Sequence, residues 1–464
     1  MSIQTINPNT NQTVTTFEEL TEEALEAAVA QATTAFESWK KTSYPQRADL
    51  LHKVAALMRE KKEARATTIT LEMGKLIAQA EGEILLSADI LDYYADHGQQ
   101  FLADQHLAPQ HGQAFIRHSP VGVLLGVEPW NFPFYQVARF AAPNIMIGNT
   151  VLVKHASNVP QCALALEKIF HDAGVPPACF RTLLIGSDLV EKLIADDRLK
   201  AVTLTGSEGA GSAVAATAGQ HIKKTVLELG GSDPFIVLAD ADVAAAAKAA
   251  AQSRMINAGQ SCIAAKRFIV EKPVIREFIS QLKTHLLALR TGDPLDETTQ
   301  YGPLARPDLA DELTQQVEDT VLEGAKIELH GGQSKPGTAL FRPMILSNIK
   351  PGQRAYSEEL FGPVALVLEA KNAADAVRLA NDSRFGLGAA VWTKDAKKGE
   401  AMARQIESGA VFVNGLVKSM PELPFGGVKK SGYGRELSYL GIREFVNQKS
   451  IWIGKAAVQE AKTE

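Results

Sequence analysis

Cys262 follows the small, polar string Asn257-Ala258-Gly259-Gln260-Ser261, whereas Cys162 sits in the alternating run Cys162-Ala163-Leu164-Ala165-Leu166, which reads as packing. A single cysteine is most often an inert buried side chain. A thiolate nucleophile needs a polar, accessible setting with a route to deprotonation, which a glycine-bearing loop between helix and strand provides. Glu228, in Val226-Leu227-Glu228-Leu229-Gly230-Gly231, is an ionisable group between apolar neighbours at the end of a strand-like segment. Half-burial would raise its pKa towards that of a general base; a solvated edge-strand carboxylate is the alternative. In Pro129-Trp130-Asn131-Phe132-Pro133 two prolines fix the backbone around a carboxamide. That would hold Asn131 as a hydrogen-bond donor, or simply make a rigid turn packed on Trp130. Gly206-Ser207 ends a strand at 201–205 and opens a helix rich in alanine and glycine, a place where helix-terminal amides could meet a pyrophosphate. Lys154, closing Thr150-Val151-Leu152-Val153, could contact ribose or phosphate, although a strand-capping lysine is more often solvated.

Other chemistries lack their residues. Gly209-Ala210-Gly211-Ser212-Ala213-Val214 has no third glycine for a dinucleotide fingerprint, and there is no Walker A loop, His-Glu-x-x-His or Gly-x-Ser-x-Gly. The ten histidines and three cysteines form no metal-ligand spacing, so no metal is expected. A cysteine hydrolase would need a histidine base, and no histidine lies in these strings.

These side chains need elements to carry them. Leu25, Ala28, Val29, Ala32 and Phe36 recur at helix spacing behind Thr21, and Pro45 opens a second helix carrying Leu51, Val54, Ala55 and Met58. From 114 to 127, β-branched and apolar residues broken by Pro120, Gly122 and Gly126 predict a hairpin. Short apolar strands at 150–154, 201–205 and 235–238 then alternate with alanine-rich helices, as in an open α/β sheet. A second α/β series follows Gly259, with strands at 267–270, 364–368 and 410–414. A strand at 450–453 needs a partner, either that hairpin or another subunit. The chain of 464 residues is 45% hydrophobic and 22% charged, which suits a globular α/β protein of two or three core units. A net charge of −5 offers no overall attraction to nucleic acid or an anionic membrane, and neither partner is expected. Cys162, Cys179 and Cys262 are too few for a disulfide scaffold, and no leader or spanning run is read, so a cytoplasmic setting is expected.

Taken together, the strings resemble the aldehyde dehydrogenase superfamily over nearly the whole chain. The asparagine motif is Pro129-Trp130-Asn131-Phe132-Pro133, the Gly-Ser turn is Thr205-Gly206-Ser207 with Gly211, and the glutamate motif is Glu228-Leu229-Gly230-Gly231. Gly259-Gln260-Ser261-Cys262, Glu358-Glu359-Leu360-Phe361-Gly362-Pro363 and Pro424-Phe425-Gly426-Gly427 complete the set. The resemblance implies a Rossmann-type nicotinamide-binding domain over 1–112 and 127–229. It also implies an α/β catalytic domain over 230–430, and a small β oligomerisation hairpin with a C-terminal strand at 113–126 and 446–464. It gives Cys262, Glu228 and Asn131 the catalytic roles of nucleophile, base and oxyanion donor. Trp130, Lys154, His155, Ala156, Ser157, Gly206, Ser207, Leu229, Glu359 and Phe361 would hold NADP or NAD, with the neutral Ser157 favouring NADP. Arg139, Ser419 and Phe425 would hold substrate, because Arg139 and Ser419 stand where the succinate-semialdehyde-oxidising members of the family grip a carboxylate. The implied activity is NAD(P)-dependent oxidation of that semialdehyde by a homodimer or homotetramer. Another aliphatic or semialdehyde substrate, or a non-catalytic binding protein with this fold, are the alternatives.

Overall fold

Thr21 accepts a hydrogen bond from the Ala24 N–H and opens the Glu22–Trp39 helix. Ser43 and Gln46 cap Tyr44–Glu60 reciprocally, with Pro45 in its first turn. Both helices bury the faces that the periodicity marks, apart from Phe36, which stays partly exposed. They belong to a computed structural model that describes residues 2–454, in which two separate open sheets form and both helices pack on the side of the first.

The first sheet has six strands in the order Gly432–Tyr433, Lys224–Glu228, Leu199–Thr205, Val123–Glu128, Thr150–His155 and Phe180–Thr182. All its pairings are parallel except that of the short Gly432–Tyr433 edge. Val127 pairs with Leu204, and Thr205 with Glu228, so three neighbouring strands end together. Ligand crevices of open parallel sheets lie beyond such ends. The second sheet has seven strands: Lys326–Leu329, Met344–Ser347, Val364–Ala370, Ala265–Glu271, Asp233–Val237, Gly388–Trp392 and Ala410–Val413. The strand expected at 235–238 is therefore central to this second sheet, not a continuation of the first.

The 114–127 segment is not a hairpin. Gln113–Pro120 pairs antiparallel with Gln105–Leu107 and, along its whole length, with Val446–Ile453. Val123–Glu128 instead enters the first sheet between Thr150–His155 and Leu199–Thr205. The burial pattern explains the split: the first half stays largely exposed or half-buried, whereas Val123, Leu124 and Leu125 are buried, as a central parallel strand demands. Between them Gly122 takes φ +138°, a backbone that L side chains rarely adopt. The small antiparallel sheet is thus built from two neighbouring segments, Gln105–Leu107 and Gln113–Pro120, and one distant one, Val446–Ile453. Of the C-terminal stretch expected to join it, 455–464 lie outside the described residues. Two N-terminal strands that periodicity did not mark, Ser2–Asn7 and Gln12–Glu18, pair with each other.

Candidate active site

The loop that presents Cys262 is held in an uncommon backbone. Asn257, Ala258 and Gly259 have φ values of 51°, 53° and 82°, and a side chain at Gly259 would run into the Gly362 backbone. Left-handed non-glycine residues cost on the order of 1–3 kcal/mol each and persist only where their surroundings over-determine them. Here Arg254 Nη2 donates to the Gly259 carbonyl (2.6 Å), and Ala305 N–H donates to Gln260 Oε1 (2.8 Å). Lys266 Nζ donates to the Ser261 (2.9 Å) and Cys262 (2.8 Å) carbonyls. The Cys262 side chain emerges partly exposed, while Cys162 and Cys179 are buried. Burial pushes the Cys262 thiol up to about 12, against the pull of Lys266 and Arg139.

Cys262 faces a cavity of about 330 Å³ that also brings together Trp130, Asn131, Gly206, Ser207, Glu228, Leu229, Glu359 and Phe361. Nine expected site residues, scattered over more than 230 positions of sequence, thus share one cleft. Asn131 is buried and its Nδ2 donates to the Gln260 carbonyl (3.1 Å), which leaves its second N–H free. Glu228 is not half-buried but enclosed, with both carboxylate oxygens unpartnered. Burial raises its pKa well above the usual carboxylate range; Arg139 opposes this and Glu436 adds to it. Glycine at 426 makes room for it, since a Cβ there would lie 2.7 Å from Glu228 Oε1. Glu359 pairs with the buried Lys266 at 3.1 Å, and the Trp130 and Phe361 rings meet edge-on at 5.9 Å.

The cofactor-binding expectations divide. Ser207 caps the 13-residue Glu208–Gln220 helix at the cleft, so that helix directs its amide end there. Gly211 lets the helix close on Leu229, whose Cδ2 would be 2.6 Å from a Cβ. A second cavity, of about 630 Å³, is lined by Lys154, Ser157 and Asn158, with Glu19 and Asp188 on its wall. Asn158 Nδ2 is buried there without a partner. An ammonium, a hydroxyl and an orphaned amide donor fit an anionic group such as a ribose phosphate, and the helix end fits a pyrophosphate. His155 and Ala156 do not join them. His155 is buried with Nε2 on the Pro133 carbonyl (3.1 Å), and the Ala156 N–H donates to the Glu128 carbonyl (2.9 Å). Both serve the backbone behind the cleft, which alternation along the strand end leaves unreadable.

Among the substrate-binding expectations, Ser419 and Phe425 line a narrow pocket beside Ile263, the neighbour of Cys262. Arg139 lines neither cavity. Its side chain is 0% exposed, pairs with Glu436 through Nε, and donates to Thr205 Oγ1 (3.2 Å) and the Tyr135 hydroxyl (3.0 Å). Tyr135 in turn bonds Ser419 Oγ at 2.5 Å. The direct grip expected of Arg139 is therefore corrected to an ion pair in the protein interior, with two hydroxyls between the guanidinium and the pocket. Tyr135 escaped the sequence reading although it lies four residues before Arg139, one helical turn away. Gln136 and Glu312, also on the main cleft, and Asn158 were missed as well. Among the described residues no group of three or more His, Cys, Asp or Glu side chains could hold a metal ion, and no helix is long and apolar enough to cross a membrane.

The chain that carries this cleft is matched over nearly its whole length. The pattern described as the Aldehyde dehydrogenase family covers residues 1–451, and the chain belongs to that family. It is 50% identical over 455 residues to the probable succinate-semialdehyde dehydrogenase [NADP(+)] of Synechocystis sp., spanning 98% of this chain and all of that one. Its identity to the succinate-semialdehyde dehydrogenase [NADP(+)] of Deinococcus radiodurans is 46%, over 96% of this chain and 94% of the relative. The crystal structure of succinic semialdehyde dehydrogenase from Streptococcus pyogenes in complex with NADP+ superposes with a TM-score of 0.95. That pair is 39% identical, over 97% of this chain and all of the other.

Proposed function

We propose that the protein oxidises succinate semialdehyde to succinate with NADP, and less readily with NAD. The observation that carries the reading is the shared cleft in which Cys262, Asn131 and Glu228 meet beside Gly206, Ser207, Glu359 and Phe361. The Cys262 sulfur adds to the aldehyde carbon, and the developing oxyanion is met by the free Asn131 N–H and the Cys262 backbone amide. A bound oxidised nicotinamide supplies the hydride acceptor that converts this thiohemiacetal to a thioester. Glu228, unpartnered and with its proton affinity raised, takes a proton from water as that water attacks the thioester carbon. Acid leaves and the thiol is restored. Lys154, Ser157 and Asn158 suit the 2′-phosphate of NADP, where an acidic side chain in place of Ser157 would repel it. The substrate carboxylate rests on the Ser419 and Tyr135 hydroxyls, with Arg139 supplying positive charge from behind.

The names of the relatives support the substrate and cofactor, and the small sheet supports a homodimer or homotetramer. Three free cysteines suit a cytoplasmic setting. The test is an initial-rate panel with both cofactors. Succinate semialdehyde with NADP should exceed butyraldehyde, which has the same carbon count and no carboxylate, by at least about tenfold in kcat/KM. Equal values for the two aldehydes would reject the substrate, and tighter saturation with NAD would reject the cofactor.

A further inference from the structure

Behind Asn131 lies an ion pair that the reaction itself does not use. Lys75 and Glu83 have no exposed side-chain surface and are bonded to each other. Lys75 holds the Pro129-Trp130-Asn131-Phe132-Pro133 turn, and Glu83 holds the start of the helix that follows it. Lys75 Nζ donates to the Asn131 backbone carbonyl (2.7 Å) and stands 3.7 Å over the Phe132 ring. Glu83 Oε1 accepts from the Phe134 (2.8 Å) and Tyr135 (3.2 Å) N–H groups, the free amides that open the Tyr135–Ile147 helix. One turn before Glu83 on the same Ile77–Phe101 helix, Gln79 Oε1 accepts from the Asn257 N–H (2.9 Å). Asn257 Nδ2 returns to the Asn131 carbonyl at 3.0 Å. A single short segment thus fastens both the asparagine turn and the cysteine loop.

The cost of this arrangement speaks against a purely structural purpose. Burying an ammonium and a carboxylate carries a desolvation penalty that well-packed apolar side chains would avoid. What the charges add is direction: two donors converge on the Asn131 carbonyl while its side-chain amide is tied to Gln260, so one N–H can point only into the cleft. Pre-set donors are what stabilise a developing oxyanion, because they need no reorganisation as charge appears.

We infer that Lys75 and Glu83 are positioning residues for oxyanion stabilisation, acting through Asn131. The inference rests on the oxyanion role proposed for Asn131, and a double-mutant cycle separates the two. The variants are Lys75→Met with Glu83→Gln, which removes both charges together and keeps an acceptor for Phe134 and Tyr135, Asn131→Ala, and their combination. The pair variant should lose at least about tenfold in kcat/KM while its Kd for NADP stays within about twofold. In the Asn131→Ala background the same pair should cost no more than about twofold, because the group it orients is gone. Equal losses in both backgrounds would overturn the inference and leave the pair a structural support. Full activity in Asn131→Ala would overturn the oxyanion reading, and this inference with it. Should the pair variant not fold, Glu83→Gln alone enters the same cycle, since it leaves no unpaired carboxylate, keeps an acceptor for Phe134 and Tyr135, and leaves Lys75 on the Asn131 carbonyl and the Phe132 ring.

Discussion

The Cys262 thiol, proposed as the nucleophile and pushed up to about 12, holds almost no thiolate at neutral pH. The cause is the same enclosure that sharpens every dipole in the cleft, and Lys266 and Arg139 only partly offset it. Burial raises the proton affinity of Glu228 as well, against the pull of Arg139, which suits a group proposed to draw a proton from water. The sign of the pH effect follows. Below its pKa, the thiolate fraction of Cys262 rises tenfold per pH unit, so iodoacetamide should alkylate the cofactor-free protein with a log-rate slope near one from about pH 7 to 10. Mass spectrometry at Cys262, with Cys262→Ala as the blank, reads this directly. A plateau near pH 8.5 would mean that burial does not govern the thiol.

At the scale of elements, the end of the Thr150–His155 strand gives the asparagine turn a second support, at Pro133, while Lys75 holds Asn131. His155 binds the Pro133 carbonyl, and burial lowers its pKa to about 4, with the Pro133 bond opposing and Lys154 assisting. The folded protein therefore resists a proton that the unfolded chain accepts at about 6.5. Above that pH the group costs nothing; as pH falls from 6.5 towards 4 the penalty grows to about 3 kcal/mol at most. His155→Gln, which can still donate to Pro133, should flatten the loss of Tm between pH 6.5 and 4.5. An unchanged slope would assign that loss to other groups. His155 also marks where sequence reading ends. Caps at Thr21 and Ser43 and the apolar runs of the sheets are local signals, so those helices and strands were legible. Likewise Cys262, Glu228 and Asn131 announce themselves by chemistry set in glycine and proline. Which strand pairs with which is not local: Gln113–Pro120 and Val123–Glu128 look like one hairpin until burial separates them. The inward turn of Arg139 depends on Glu436, nearly three hundred residues away, and no periodicity reports that.

At the scale of the whole molecule, the small sheet poses a question of exposed surface. Its Val446–Ile453 strand is an edge, and Trp452, Ile453 and Leu107 on this sheet are 62%, 53% and 44% exposed. Proteins usually blunt such edges with charge or cover them, and exposed apolar groups gathered on an edge strand mark an association surface. Trp452 is the sharpest probe because its ring is exposed while its Nε1 is already tied to the His111 carbonyl at 3.0 Å. The sheet itself rests on backbone pairing of eight residues with Gln113–Pro120, which a side-chain change leaves in place. Trp452→Glu would put a carboxylate into a dry contact, where an unpaired charge costs several kcal/mol. Light scattering at micromolar concentration should then report a smaller particle than the unaltered protein forms, with circular dichroism and Tm little changed. An unchanged particle mass would move the interface elsewhere, and a monomeric unaltered protein would remove it altogether.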